Sequence, residues 1–347
     1  MWFQSDSPLP PGSDPDNTPT SSSINIAYST NGLHWECGKG AYELLSSTPP
    51  TSSTSATPST VATSPGAVLK PNTDSWWNFD TYSLALGTVL TPTLTPTLRV
   101  ERGVHIMYYS GSNFESGGSN GKIGIAISQD GESWGRVEGE DPSGASIVPN
   151  EIGGWVGQPE VSFVVDESTV GGGRRGEVKG TFWMHYVEGV GKGEYGDRVN
   201  AAASSDGFNW VESKRNVMTA TPDSPDAGGI GSLQVLKSMT WDPSSSVWRD
   251  SPGYTMYYSA VDSAGRKCVC EAFNESPAMT GEWRKRGELE LPGENVGGPN
   301  VIRMPDGEER MYYHATTEEG ERQIVAAERR EGGEWKVIAK NINLPDL

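Results

Sequence analysis

Two carboxylates in this sequence stand where acid–base chemistry is expected. Asp80 follows the aromatic stretch WWNF at positions 76–79, and Glu160 lies in an otherwise apolar stretch, VGQPEVSFVV at 156–165. Glycoside hydrolysis uses such a pair, about 5–5.5 Å apart for retention of configuration or about 6.5–9.5 Å apart for inversion. One member needs a pKa that is raised by burial or by a like charge. We therefore treat Asp80 and Glu160 as candidate catalytic residues.

Aromatic and acidic residues near these positions extend the candidate site. Trp76, Trp77 and Trp155 are possible platforms for sugar rings, because ring faces stack on aromatic planes. Asp226 and Glu294 stand at comparable places further along the chain and are candidates for contact with a substrate.

Each of these acids also has a structural interpretation. An aspartate after an aromatic strand start often accepts backbone N–H bonds in a turn, and both interpretations are open for Asp80. For Glu160 we favour a site, because a glutamate within an apolar strand is costly unless it faces a cavity. Asp226 and Glu294 lie in Gly- and Pro-rich approaches, which favours a structural or solvent-exposed role.

A recurring hairpin organises the elements that must position these residues. The stretch GIAISQDGESW at 124–134 alternates apolar and small residues, turns at Asp-Gly and ends in tryptophan, which is typical of a β-hairpin. Copies occur at 26–35 and 201–210, and weaker ones end at Trp283 and Trp335. Five copies in one chain indicate a repeat protein.

Two further strands complete each repeat. A strand of Met-Tyr-Tyr type begins at Met107, Met184 and Met256, at distances of 27, 26 and 27 residues from the tryptophan of its hairpin. An apolar strand precedes it, and three copies carry a glycine followed by Pro or Leu (VGQPEV, IGSLQV and VGGPNV). Four-stranded units that recur four to eight times describe a β-propeller.

We therefore predict an all-β protein with one domain over residues 1–347, a five-bladed β-propeller of four-stranded antiparallel blades. Met-Trp-Phe at the start of the chain fills the Met-Tyr-Tyr position, so the first blade lacks its innermost strand. The predicted parts are a partial blade 1, a low-complexity Ser/Thr/Pro loop and blades 2 to 5, at 1–45, 46–66, 74–140, 151–215, 226–290 and 294–340.

Composition narrows the partners. The formal charge of −18 argues against nucleic acid and anionic membranes, which would be repelled, and no apolar run is long enough to span a membrane. We find no P-loop, dinucleotide fingerprint, nucleophile elbow or zinc spacing, and so expect no cofactor and no metal. Three cysteines and the lack of a signal peptide favour an intracellular protein, and we expect a monomer with a carbohydrate ligand.

The ordered repeats, the S-x-D-G-x-x-W hairpin and the segment WWNFDTYSLALG resemble the five-bladed propellers of the arabinanase, levansucrase and invertase superfamily. The likeness is greatest to uncharacterised glycosyl-hydrolase-like propellers of plants and algae, and it covers essentially the whole chain. It implies three catalytic carboxylates on the first strands of the first three blades. On this basis Asp80 takes the helper position of blade 2, and Glu160 takes the general-acid position of blade 3.

The blade-one aspartate of that superfamily has no counterpart, because the sequence begins after the strand that would carry it. We expect a truncated N-terminus, with loss of the catalytic base as the alternative. The function predicted is that of a glycoside hydrolase-like protein that cleaves or binds a glycan in the central channel. The alternative is a non-catalytic propeller that binds carbohydrate or protein.

Overall fold

The computed structural model describes most of the chain. It covers residues 1–6, 22–38, 66–72, 74–91, 103–114, 120–165, 180–190, 194–276, 279, 281–317, 320, 322–330, 333–340 and 342. The predicted low-complexity loop at 46–66 lies outside these residues except for Gly66. In the part of the chain that is described, no helix is long and apolar enough to cross a membrane.

The described residues form twenty strands in five antiparallel sheets, each of which is one blade. Blade 1 contains β1 (Trp2–Asp6), β2 (Ser22–Tyr28), β3 (Glu36–Cys37) and β4 (Ala67–Leu69). Blade 2 contains β5 (Ser83–Leu90), β6 (His105–Ser112), β7 (Lys122–Ser128) and β8 (Gly135–Val137). Blade 3 contains β9 (Gly154–Val165), β10 (Gly180–Val190), β11 (Arg198–Ser204) and β12 (Val211–Thr219).

The last two blades repeat this arrangement. Blade 4 contains β13 (Gly229–Asp242), β14 (Val247–Val261), β15 (Lys267–Asn274) and β16 (Arg284–Glu288). Blade 5 contains β17 (Glu294–Arg303), β18 (Glu308–Thr316), β19 (Arg322–Arg330) and β20 (Lys336–Ala339). In blades 2 to 5 the strands pair in chain order, and the first strands β5, β9, β13 and β17 contact one another in turn. This confirms the predicted five-bladed propeller.

The position of a strand in its blade explains its residue pattern. The second strand β6 is buried over nearly its whole length, because its sheet packs against neighbouring blades on both faces. Its sequence is accordingly a continuous run, HIMYYSGS, without polar alternation. The outermost strand β16 alternates exposed and half-buried residues, as expected at the rim. Burial on both faces therefore produces the Met-Tyr-Tyr pattern.

Blade 1 differs from the others, as predicted. Its β1 pairs with β2, and both β3 and β4 pair with β2 on the outer side. Two short strands thus share the outer position, and the described residues contain no innermost strand for this blade. The strand β4 lies beyond residue 45, where we expected blade 1 to end, and β12 extends blade 3 from 215 to Thr219.

The first aromatic residue of each Met-Tyr-Tyr strand connects its blade to the next one. Tyr108 OH donates to Gly207 O of blade 3 at 2.9 Å, and Trp2 Nε1 donates to Gly131 O of blade 2 at 3.0 Å. Tyr312 OH donates to Gly32 O at 2.7 Å and so connects blade 5 to blade 1. The same side-chain position therefore closes the ring.

The hairpin turn explains the Ser-x-Asp-Gly sequence. Asp130 Oδ1 accepts from the backbone N–H groups of Glu132 and Ser133, and these bonds lower its pKa to about 2. Ser128 Oγ accepts from Gly131 N, and Gly131 has a φ of 80°, which favours glycine. Asp130 therefore shapes the hairpin turn at the rim and is not a candidate for catalysis.

Candidate functional site

A large cavity, which we call the axial cavity, lies where the first strands meet. Its volume is about 1460 Å³, and its wall is formed by β5, β9, β13 and β17 together with β1. The cavity reaches β1 because, among the described residues, blade 1 contributes no first strand. Deep cavities of this kind are the usual places for small ligands.

Glu160 on β9 lines this cavity. The residue keeps partial exposure towards the cavity, but its carboxyl group is enclosed between two neighbouring blades. Oε1 accepts from Val235 N at 3.0 Å, and Oε2 lies 2.5 Å from Thr88 Oγ1. Burial raises the pKa of Glu160 to about 7, since the desolvation of the charge outweighs the two hydrogen bonds that favour the carboxylate.

The bonds of Thr88 indicate where the proton is held. Its Oγ1 accepts from Val161 N at 3.0 Å and contacts both Pro159 O at 3.2 Å and Glu160 Oε2. A hydroxyl has one proton and cannot donate fully to both oxygens. If Glu160 is protonated, it donates to Thr88, Thr88 donates to Pro159 O, and every group has a partner. The geometry thus fits a neutral carboxylic acid.

Glu160 occupies a position that recurs around the axis. Thr88 on β5 and Gln234 on β13 hold the same place in their blades, and each accepts a hydrogen bond from a backbone N–H of the next blade. Gln234 also donates to Val301 O at 3.0 Å. The side chain at this position therefore ties adjacent first strands together. A protonated glutamate has the same donor and acceptor pattern as glutamine, so Glu160 can hold the blades while it stores a proton.

Asp80 lies away from the axial cavity, in the segment before β5. Its side chain is fully buried, and Oδ2 accepts from Arg136 Nε at 2.6 Å and from Tyr109 OH at 3.0 Å. Both partners belong to blade 2, and Asp80 is not among the residues that line the cavity. Its Oδ1 has no hydrogen-bond partner among the described residues. The structure therefore does not bring Asp80 and Glu160 together at the cavity.

Asp226 holds the equivalent place before β13. It is buried, accepts from Tyr258 OH at 3.3 Å and pairs with Lys285 Nζ at 2.5 Å. Tyr258, like Tyr109, is the second aromatic residue of its Met-Tyr-Tyr strand, and Lys285, like Arg136, lies on the outermost strand. The same arrangement occurs in two blades. This indicates a structural unit that anchors the segment immediately before a first strand.

The remaining predicted residues lie outside the cavity wall. Trp76 and Trp77 are exposed, at 69% and 53%, and their rings meet edge to face at 6.1 Å between centroids. Trp155 is buried against Gly189, and Glu294 is exposed at the start of β17. Glu160 is thus the one predicted site residue that lines the cavity.

His314 lies on a second strand, where the sequence favours a bond within the sheet over a place in the channel, but the structure places it on the cavity wall. Its imidazole lies against two glycines, since a Cβ at Gly297 or Gly298 would be 2.8 or 2.9 Å from ring atoms. Burial lowers the pKa of His314 to about 4, and the charges of Arg322 and Lys267 add to this. The sequence signal for this place of His314 was the Gly-Gly pair of VGGPNV, because other copies of this strand have a larger residue at the second glycine.

Another histidine has a structural place. His185 is fully buried in blade 3, and its Nε2 accepts from Trp283 Nε1 of blade 4 at 3.3 Å. Burial lowers its pKa to about 4, so it is neutral at physiological pH. Within the described ranges, no group of three or more His, Cys, Asp or Glu residues is placed to hold a metal ion.

This fold is shared with glycoside hydrolases. No family model matches the sequence, and no curated protein matches it. Among solved structures, a thermostable family-43 glycoside hydrolase is similar, with a TM-score of 0.54 and 16% identity over 93% of this chain and 88% of that one. The likeness concerns the fold, a five-bladed propeller of glycoside hydrolase type.

Two other solved structures are similar at lower scores. A family 117 glycoside hydrolase from the marine bacterium Zobellia galactanivorans has a TM-score of 0.46 and 13% identity over 74% of this chain and 69% of that one. A further glycoside hydrolase has a TM-score of 0.48 and 15% identity over 76% of each chain.

Proposed function

We propose that this protein binds a glycan in the axial cavity and that Glu160 acts there as the general acid of glycoside hydrolysis. The observation that carries the proposal is a carboxyl group in the cavity wall with a pKa of about 7. A general acid must hold its proton at the working pH and then give it to the departing glycosidic oxygen. A carboxyl with an ordinary pKa of 4.5 would already be ionised near pH 7.

The surroundings of Glu160 suit a sugar ligand. The wall offers the neutral hydrogen-bonding groups of Gln158, Ser232 and Tyr195 beside apolar residues of the first strands. Such groups match sugar hydroxyls. The exposed rings of Trp76 and Trp77 are platforms where a longer glycan would rest outside the cavity. The fold shared with a family-43 glycoside hydrolase supports this proposal.

Asp80 has a structural role in this proposal. Its carboxylate is bound by Arg136 and Tyr109, and Asp226 repeats the arrangement with Lys285 and Tyr258. A catalytic helper would need to face the substrate near Glu160.

The second candidate function is glycan binding without hydrolysis. Glu194 is the other carboxylate on the described cavity wall, and its Oε2 lies 3.4 Å from Lys267 Nζ. Hydrolysis by the usual routes needs a second carboxylate that acts as base or nucleophile. The observation that favours binding alone is therefore that the described wall holds one carboxylate besides Glu160, and that one is ion-paired with Lys267.

A screen of glycans and aryl glycosides with wild type and Glu160→Gln separates these functions. Glutamine keeps the bonds to Val235 and Thr88, as Gln234 does in blade 4, so the fold is retained. We expect the variant to bind glycans like wild type and to lose hydrolysis by about 10²- to 10⁴-fold. Glycan binding without turnover by wild type would leave the second candidate. Equal turnover by both proteins would remove Glu160 from the mechanism.

A further inference from the structure

The charges on the axial cavity wall are not evenly compensated. Two arginines that line it have carboxylate partners: Arg310 pairs with Glu328 at 2.5 Å, and Arg303 lies 3.6 Å from Glu309. Glu194, the exposed acid at the wall, is offset by Lys267, and Glu160 is neutral when protonated. These groups therefore contribute little net charge to the wall.

Arg322 is a further positive charge on the described wall. It begins β19, its residue is exposed, and it lines the cavity. Among the described residues it has no carboxylate partner within ion-pair distance, although the chain as a whole carries a formal charge of −18. An arginine that is paired with no described carboxylate offers two parallel donors to the carboxylate of a ligand.

The groups around Arg322 are suited to the same ligand. Its charge acts on both Tyr195 and His314: it opposes the burial that raises the pKa of Tyr195 to about 12, and it adds to the lowering of the pKa of His314. Both side chains are therefore neutral and line the cavity. His314 Nε2 is buried and has no hydrogen-bond partner among the described residues. This nitrogen is therefore available for a hydrogen bond with a ligand.

We propose that Arg322, His314 and Tyr195 bind the carboxylate of an acidic sugar residue, so that the glycan taken by the axial cavity contains a uronic acid. The inference rests on the proposed function and names its substrate class. Arg322 supplies the charge, and the neutral imidazole and phenol supply hydrogen bonds without a competing charge. Glu194 lines the same cavity and pairs with Lys267 at 3.4 Å, and Lys267 Nζ also lies 5.3 Å from the ring centroid of Tyr195. Among the described residues of this region, Glu194 and Lys267 offset each other, and Arg322 adds a positive charge.

Calorimetric titration with a panel of oligouronates and their carboxyl-reduced counterparts tests this inference. The two sets differ at one group, because reduction replaces the carboxylate of each uronate by a neutral hydroxymethyl group. We expect wild type to bind its best uronate about tenfold more tightly than the reduced counterpart, with a preference that weakens as salt is added. Arg322→Gln, a change at an exposed side chain, should abolish the preference.

Arg330→Gln is the matched control, since Arg330 lies at the other end of β19, is 81% exposed and pairs with Glu308. This variant should keep the preference for the uronate. Equal binding of both sets by wild type, or a preference that survives Arg322→Gln, would overturn the inference while glycan binding stands. If neither set binds, the proposed function fails together with it.

Discussion

At the scale of single residues, Glu160 joins a structural and a chemical role. Thr88 and Gln234 show that the side chain at this position joins adjacent first strands. A neutral side chain does so without the free-energy cost of burying a charge. A glutamate does the same only while it holds a proton, because an ionised carboxylate loses its donor and pays for burial. The conflict between the structural role and ionisation of Glu160 has a measurable consequence.

Glu160→Gln should stabilise the protein at alkaline pH. The pKa of Glu160 is about 7 in the folded protein, against an ordinary value of 4.5. The folded state therefore keeps a proton that the unfolded chain releases, so stability from this group is full below pH 4.5 and is lost as pH rises through 7. At pH 8 the variant should be more stable by up to about 3 kcal/mol, and near pH 4.5 the difference should vanish.

Urea denaturation across this range measures the difference. Glu275→Gln is the control, because Glu275 is 65% exposed and should show no such trend. A constant offset for Glu160→Gln between pH 4.5 and 8 would show that the pKa of Glu160 is not raised in the folded protein.

For Asp80 we expect the opposite effect, a loss of stability on substitution, because its role is structural. Asp80→Asn leaves Arg136 without its carboxylate in a buried place and should lower the free energy of unfolding by about 3 kcal/mol. Asp197→Asn, at a pair with Arg198 in which the aspartate is 61% exposed, should cost less than about 1 kcal/mol. Thermal or urea denaturation of both variants checks this. A stable Asp80→Asn protein that has lost glycan binding would instead place Asp80 in the site.

At the scale of elements, the hairpin turn is the contact between one blade and the preceding one. Gly131 adopts a positive φ, and its carbonyl accepts from Trp2 of blade 1 and from Trp134 of its own hairpin. The turn therefore shapes one blade and joins it to the preceding one. The glycine is required here for conformation as well as for space.

Gly131→Ala should destabilise the protein by about 1–3 kcal/mol. The new Cβ would need a left-handed backbone and would lie 3.1 Å from Trp2 Cζ2. Gly135→Ala, four residues along the chain, is the control, because nothing lies within 4 Å of its Cβ and its φ is ordinary. Denaturation curves of the two variants compare them. If both behave alike, the turn does not depend on glycine.

At the scale of the whole molecule, the repeat made most of the fold predictable. Five hairpins and their regular spacing from the Met-Tyr-Tyr strands predicted both the blade count and the incomplete first blade. The second aromatic residue proved to act within a blade: Tyr109 and Tyr258 bond to Asp80 and Asp226. Spacing specifies which strand carries a residue, but not where its side chain points when both faces of the sheet are covered.

The site was less predictable for the same reason. Asp80 and Glu160 both lie near first strands in the sequence, yet one packs inside its blade and the other lines the cavity. The sequence favoured a place within the sheet for His314, because its strand looks like every other second strand. Its place on the wall depends on Gly297 and Gly298, which come from another strand of the same blade. Such contacts between strands are not visible in a single repeat.

The dependence of hydrolysis on the leaving group tests the central claim most directly. Protonation matters for a poor leaving group, such as a sugar, and little for a dinitrophenolate that departs without a proton. The account predicts that Glu160→Gln loses about 10²- to 10⁴-fold in kcat on an oligosaccharide and less than about tenfold on the matching dinitrophenyl glycoside. Equal losses on both substrates, or none on either, would contradict the assignment of Glu160 as the general acid.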